Sequence, residues 1–368
     1  MSGAADASER NDCEVMEEML EFVCTNLRKP KIGKAVRRIG EGTFGKVFEV
    51  RSAETGQAFA IKACRCPNGE DYEFIHYLMD ECRLMKMLEQ DASKHENLMP
   101  AHDCFGLPED DTVLIVMPYM PGGCLESFIF NPEFSRTPEI KKANLMMFTR
   151  QLLEGLNHLH NMGWAHRDLT TRNVVLDQTF QKLKICDFGV SCELTNQQAR
   201  ISKTTDQPGY TCEGICALPF RAVELLLGDN LYDPAKADVW SLAMIVARMI
   251  QKASLFYDGR SLGPNGWEEL HLVTKIKMFQ LLGTPTETSW PGVTRLPGYV
   301  SDPLFPCWTA ENFEALWKQW DVPCPILGVL ARSMVLYPRR RATAAELIMQ
   351  MTSLEAQFGL KEAFGDPV

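Results

Sequence analysis

Residues 164–189 read WAHRDLTTRNVVLDQTFQKLKICDFG, and the fold of the whole chain turns on this stretch. Two polar triplets, HRD at 166–168 and DFG at 187–189, stand beside strand-like apolar runs at 174–176 and 183–185, and Asn173 follows Asp168 by five residues. Either triplet alone is an ordinary solvated loop. Together, in this order and with these apolar flanks, they fit H-R-D-L-x-x-x-N followed by D-F-G.

With these residues the chain resembles the eukaryotic protein kinases. The resemblance implies an α+β, bilobal kinase fold, with a small, mostly antiparallel β lobe carrying one helix and a larger, mainly helical lobe. It implies transfer of the γ-phosphate of ATP to a hydroxyl of a protein substrate. Phosphoryl transfer is largely positioning and charge neutralisation, so it needs a carboxylate to orient the attacking hydroxyl and oxygen ligands for Mg²⁺. By the resemblance Asp168 is that base, and Asn173 and Asp187 are the metal ligands. Arg167, directly before the base, is placed to pair with a phosphate on the activation loop. Thr204, Thr205, Tyr210 and Thr211 are the candidate phosphorylation sites.

Upstream, residues 35–50 (AVRRIGEGTFGKVFEV) and 58–63 (AFAIKA) read as strand, glycine turn and strand, with a turn at Glu54, Thr55 and Gly56 between them. Gly40, Gly42 and Gly45 form G-x-G-x-x-G. A strand rather than a helix follows the glycines, which sets aside a dinucleotide-binding turn and favours a hairpin whose backbone N–H groups approach ATP phosphates. Period-two alternation puts Phe59, Ile61 and Ala63 on one face of the second strand and Ala60 and Lys62 on the other. Lys62 is therefore expected to face the nucleotide. Its ammonium needs a carboxylate, and Glu81, in a helical segment over roughly 71–89, is the choice because ECRLMKML resembles the run after the kinase glutamate, with Glu73 and Glu89 as rivals. The resemblance implies that Ile39, Gly40, Gly42, Gly45, Val47, Ala60 and Lys62 line the ATP site. It also reads the strand at 113–117 as ending in a hinge, PYMPGG, with Met117 as gatekeeper. Pro118 then offers only a carbonyl, and Met120 both N–H and C=O.

Composition bounds the rest. With 368 residues, 45% of them hydrophobic, the chain suffices for two domains or one large bilobal unit. A net charge of −10 argues against a general nucleic-acid or anionic-membrane surface. No apolar leader and no run of 18 apolar residues is seen, so an intracellular protein of cytoplasm or nucleus is expected. Thirteen scattered cysteines read as free thiols rather than a disulfide framework or zinc site. The expected organisation is an N-terminal extension at 1–31, a small lobe with hinge at 32–120 and a larger lobe at 121–368. In the extension Val15, Met16, Met19, Leu20, Val23 and Leu27 fall at helical spacing, which fits packing on the small lobe or docking of a partner. The larger lobe contains a long helix at about 139–161 and an activation loop at 187–224. The resemblance implies that Glu224 pairs with Arg341 and that Asp238, in KADVWSLA, braces the HRD loop.

LLGTPTETSWPGVTRLPGY at 281–299, FRAVELLLG and GEGTFGKV are similar to segments of the cyclin-dependent kinases, which places the chain in the CMGC group and predicts an insert at about 284–310. Members of that branch are mostly proline-directed serine/threonine enzymes, and the resemblance brings in a cyclin or other activating subunit as a candidate partner. Three departures matter. Thr170 stands where such enzymes carry a lysine, and Ala217 where they carry a threonine or serine. In the helix, GEDYEFIHYLMDE replaces the PSTAIRE-like sequence. HRDLTTRN is somewhat like the HRDLAARN of tyrosine kinases, so dual-specificity or tyrosine phosphorylation is the alternative within the class. A pseudokinase scaffold is the alternative outside it.

Overall fold

The computed structural model describes Met16 and residues 34–42, 45–52, 54–65, 72–90, 92–107, 111–194, 215–257, 266–299, 306–310 and 320–357. The chain divides into two compact units, residues 1–121 with 187–189, and residues 122–186 with 190–368.

The first unit is an antiparallel sheet with one helix. Strands β1 (Lys34–Gly42), β2 (Gly45–Arg51), β3 (Ala58–Arg65), β4 (Asp103–Leu107) and β5 (Thr112–Pro118) pair in the order β1-β2-β3-β5-β4. The β2–β3 turn forms where expected. The Ser52 hydroxyl accepts the N–H groups of Glu54 (3.3 Å) and Thr55 (3.2 Å), and Gly56 supplies the positive φ that closes the hairpin. Alternation sorts the side chains. Phe48, Val50, Ile61, Phe105, Leu107, Leu114 and Val116 form a buried cluster, with Phe59 and Ala63 packed against it. Met16, from the segment ahead of β1, joins this cluster at 1% exposure. Burying a methionine side chain contributes about 1.5–3 kcal/mol, so the extension adds to the core of this unit. The other extension positions lie outside the described residues. Helix α1 (Tyr72–Met87) carries Glu81.

The second unit is mainly helical. It holds a small sheet of β6 (Gly123–Cys124), β8 (Val174–Leu176) and β9 (Leu183–Ile185), and a two-stranded pair of β7 (Trp164–Ala165) and β10 (Cys192–Glu193). After the short α2 (Leu125–Ile129) comes α3 (Pro138–Asn161), started by Thr137, whose hydroxyl accepts the Ile140 N–H, and by Pro138 in the first turn. Its stripe of Leu145, Phe148, Leu152, Leu156 and Leu159 is fully buried. The remaining helices are α4 (Val223–Leu226), α5 (Pro234–Gln251), α6 (Gly266–Leu282), α7 (Cys324–Ser333) and α8 (Ala344–Gln357). Along α5 Asp238 through Ala247 are buried without interruption, which makes it the central helix of the unit. Among the described residues no helix is long and apolar enough to cross a membrane. Of the insert, Glu287 accepts the N–H groups of Gly292 (2.7 Å) and Thr294 (3.1 Å), fixing the turn after α6.

Candidate active site

In the first unit the geometry centres on Lys62. Its Nζ lies 2.7 and 3.0 Å from the two carboxylate oxygens of Glu81 and 2.7 Å from Asp187 Oδ1. Lys62 and Glu81 are almost fully covered, whereas the Asp187 side chain is 36% exposed. Burial works against the Lys62 cation, but Glu81 and Asp187 outweigh it and hold the ammonium well above its ordinary value. Lysine thus stays protonated, a fixed positive charge. Of the two rivals to Glu81, Glu89 contacts His102 instead (3.1 Å), and the Glu73 side chain lies outside what is described.

Around this charge the nucleotide candidates share one side of the sheet. Val47 pairs with Lys62, and Ala60 with Met117, on the face opposite the Met16 cluster. Ile39, Pro118 and Met120 are half-buried, and Arg37 reaches Tyr119 at the end of β5 (2.9 Å). The glycines divide by cause. A Cβ on Gly45 would stand 2.1 Å from the Ala63 carbonyl oxygen, so strand pairing alone demands glycine there. A Cβ on Gly42 would meet nothing within 4 Å, and on Gly40 only Val47. Internal packing does not account for those two, and the open space fits phosphates approaching the backbone.

In the second unit the HRD loop is braced from below. Asp238 on α5 accepts the backbone N–H groups of His166 and Arg167, both at 2.8 Å, and contacts His160 Nε2 at 2.9 Å. The buried carboxylate stabilises Arg167 at φ 68°, a strained conformation for a non-glycine residue. His166 Nδ1 accepts the Asp168 N–H (3.2 Å), so its other nitrogen carries the proton and donates to the Cys186 carbonyl (3.0 Å). Asn173 donates through Nδ2 to the backbone carbonyl (2.8 Å) and the Oδ2 (2.9 Å) of Asp168. Its donor side is committed, and its carbonyl oxygen is the hard type of ligand that Mg²⁺ prefers.

The two departures in the motif acquire structural roles. The Thr170 hydroxyl accepts the N–H groups of Arg172 and Asn173, both at 3.3 Å, and caps the turn of the loop. Ala217 has no hydroxyl, but its backbone N–H donates to Asp168 Oδ1 (3.3 Å). Because any residue except proline brings that N–H, sequence gives no sign of the contact. Sequence reading also missed the neighbouring Cys216, at φ 63°, whose carbonyl accepts both Arg221 Nε (3.0 Å) and Nη2 (2.7 Å). Residues 195–214, with the four candidate phosphorylation sites, lie outside the described residues, as does any partner for Arg167 there.

The family model for the protein kinase domain matches residues 34–352. Among solved structures the chain is similar to a chain of the CAK complex from Chaetomium thermophilum bound to ATP-γ-S. The two are 22% identical, the match covers 86% of this chain and 88% of that one, and the TM-score is 0.68. The α+β kinase fold expected from residues 164–189 is the fold observed.

Proposed function

The chain belongs to the protein kinases, and from this premise we propose that it phosphorylates serine or threonine hydroxyls of proteins at sites followed by proline. The observation that carries the catalytic part is the single cluster of Lys62, Glu81 and Asp187. The geometry supports the following roles. Lys62, fixed by Glu81, offers its charge to the nucleotide phosphates. Asp168, held by Asn173 and the Ala217 N–H, orients the acceptor hydroxyl and takes its proton as the bond to phosphorus forms. Asp187 and the Asn173 carbonyl are the oxygens suited to Mg²⁺, which when bound would neutralise phosphate charge.

Proline direction rests on Cys216. A peptide whose acceptor meets Asp168 runs past the segment at 216–217, and the Cys216 carbonyl there is already taken by Arg221. An ordinary residue after the acceptor would bury an N–H with no partner, at about 1–3 kcal/mol. Proline has no N–H to leave unpaired. A cavity of about 720 Å³ beside this segment, walled by Glu126, Thr170, Arg172, Ala217, Phe220 and Lys252 among others, gives a peptide room. The similar Chaetomium thermophilum chain belongs to a complex, and we extend the reading to an activating subunit here. Since Glu81 already meets Lys62 in the single chain, such a subunit would stabilise this contact rather than create it.

Thr170 and Ala217 favour one second reading, dual specificity, because neither residue repeats the serine/threonine pattern. A degenerate peptide array offering Ser, Thr and Tyr acceptors with every following residue decides between them. Label on Ser/Thr-Pro is expected; label confined to Tyr, or indifferent to the next residue, refutes the proposal. Arg221→Met should weaken the proline preference by freeing the Cys216 carbonyl. ATP turnover that survives Asp187→Ala would remove the catalytic assignment altogether.

A further inference from the structure

Two thiols of the first unit's sheet, Cys64 and Cys104, face the helix that carries Glu81, and a third, Cys82, stands on that helix. Lys62 pairs with Ile115, and Ile115 with Cys104, so Cys104 projects from the Lys62 face of the sheet. Cys64, two residues beyond Lys62 on β3, shares that face. Helix α1 covers it, since Glu81 reaches Lys62, and the end of the helix is fastened to the start of β4. Lys86 Nζ donates to the His102 carbonyl (3.1 Å) and to Asp103 Oδ1 (3.3 Å), and the Ala101 N–H donates to the Met85 carbonyl (2.9 Å). One turn before Lys86, on the same side of the helix, stands Cys82. It hydrogen-bonds Cys104, next to Asp103. Both thiols are free and only partly buried, and no catalytic role assigned above uses either. Among the described residues no group of three or more His, Cys, Asp and Glu is placed to hold a metal ion, so such a site does not explain the pair.

We propose that Cys82 and Cys104 are a site of reversible oxidation, joined by hydrogen peroxide into a disulfide that displaces Glu81 from Lys62.

The chemistry divides between the two sulfurs. The hydrogen bond from Cys82 and, more weakly, the Lys86 ammonium hold the Cys104 thiol below its ordinary value against the effect of burial, so Cys104 supplies the thiolate. Cys82 is shifted upward and keeps its proton. Cys64, fully buried and pushed up to about 12, stays a spectator. The Cys104 thiolate attacks one peroxide oxygen, the O–O bond breaks, and hydroxide leaves to become water on protonation. Cys82 sulfur then attacks the resulting Cys104 sulfenic acid. The S–O bond breaks as S–S forms, and the Cys82 proton departs with the hydroxyl as a second water. Two thiols thus give two electrons to one peroxide, and a dithiol reverses the bond by exchange. Closing a hydrogen-bonded contact to an S–S bond of about 2.05 Å draws one turn of α1 toward β4. Glu81 is the adjacent residue. A shift of about 1 Å in a positioning group can cost roughly 100-fold in rate, and a fall of at least about tenfold in kcat/KM is expected.

The bridge stands independently of the kinase reading; only the activity arm rests on it. The full chain is treated with hydrogen peroxide, free thiols are alkylated, and peptides are mapped without reductant. A Cys82–Cys104 cross-linked pair is expected, lost on adding dithiothreitol and absent in Cys82→Ser and in Cys104→Ser. A pair that stays reduced, a Cys64–Cys104 bridge, or sulfinic acid at Cys104 in place of a bridge overturns the proposal. Matching melting temperatures of the reduced wild type and both serine variants certify that they are folded. In kinetics the oxidised wild type should lose activity, recover it with dithiothreitol, and the serine variants should resist peroxide. A mapped bridge with unchanged kcat/KM, or equal inhibition of the serine variants, overturns the link to Glu81 while leaving both the bridge and the kinase reading in place.

Discussion

Replacing Arg341 by Met should destabilise the second unit more than any surface substitution can. Arg341 and Glu224 are both 0% exposed and face each other through two parallel bonds of 2.7 and 2.8 Å. The same guanidinium donates to the carbonyls of Lys236 (2.7 Å) and Val335 (3.0 and 3.1 Å) and stacks 5.0 Å from the Trp240 ring. Removing one partner of a buried pair strands the other charge, which costs about 3–5 kcal/mol. Loss of the contact to Trp240 adds about 1 kcal/mol. At about 2–4 °C per kcal/mol for a unit of this size, the melting temperature should drop by roughly 10–20 °C. The double variant Glu224→Leu with Arg341→Met leaves no stranded charge and should recover much of the loss, so the two substitutions are strongly non-additive. Urea unfolding of the four proteins of this cycle measures it. A cost under about 1 kcal/mol for the single variant, or simple additivity, would refute the reasoning that a buried charge is what the pair neutralises.

Asp168→Asn should lower kcat by about 100-fold or more with little change in ATP affinity, because the carboxylate acts on the acceptor hydroxyl rather than on the nucleotide; near-normal phosphotransfer to a peptide would sink the assignment. Met16→Ala should cost about 2–5 kcal/mol, the range for emptying a buried methionine site, and a thermal melt indistinguishable from wild type would show that this side chain does not hold the core. Burial raises the Glu126 carboxyl, but hydrogen bonds from Arg248 (2.6 Å) and Thr171 (2.6 Å) prevail and set it below 4.5. A lowered carboxylate gives stability that is complete above its ordinary value and is lost as pH falls through the folded one. The melting-temperature gap between wild type and Arg248→Met should therefore be constant above pH 4.5 and shrink on further acidification; a gap that holds in acid would contradict this.

Much of the site was legible because charge chemistry limits the residue choice. Lys62 needed a buried anion, and the likeness of ECRLMKML to the kinase run singled out Glu81 from rivals in the same helical segment. Strand alternation correctly split Lys62 from Phe59 and Ile61, since a one-residue slip would have put the lysine in the Met16 cluster. What sequence concealed were contacts made by the backbone. The Ala217 N–H and the Cys216 carbonyl carry no side-chain signature, and the positive φ at Cys216 falls on a residue that seldom adopts it. The Cys82–Cys104 contact was hidden for another reason. It joins a helix to a strand with no recognisable spacing between the two residues, and only the sheet register puts Cys104 on the face that the helix covers.

The place of Met16 in the sheet also sets an order of events during synthesis. Met16 leaves the ribosome ahead of every strand it packs on, and Val116 on β5 follows 116 − 16 = 100 residues later. At about 5–20 residues per second, that is a delay of roughly 5–20 s. Its cluster stays incomplete until Leu114 and Val116 on β5 have joined it. A residue made ahead of the whole sheet is thus among the last to settle, and its arrival reports that the sheet is closed.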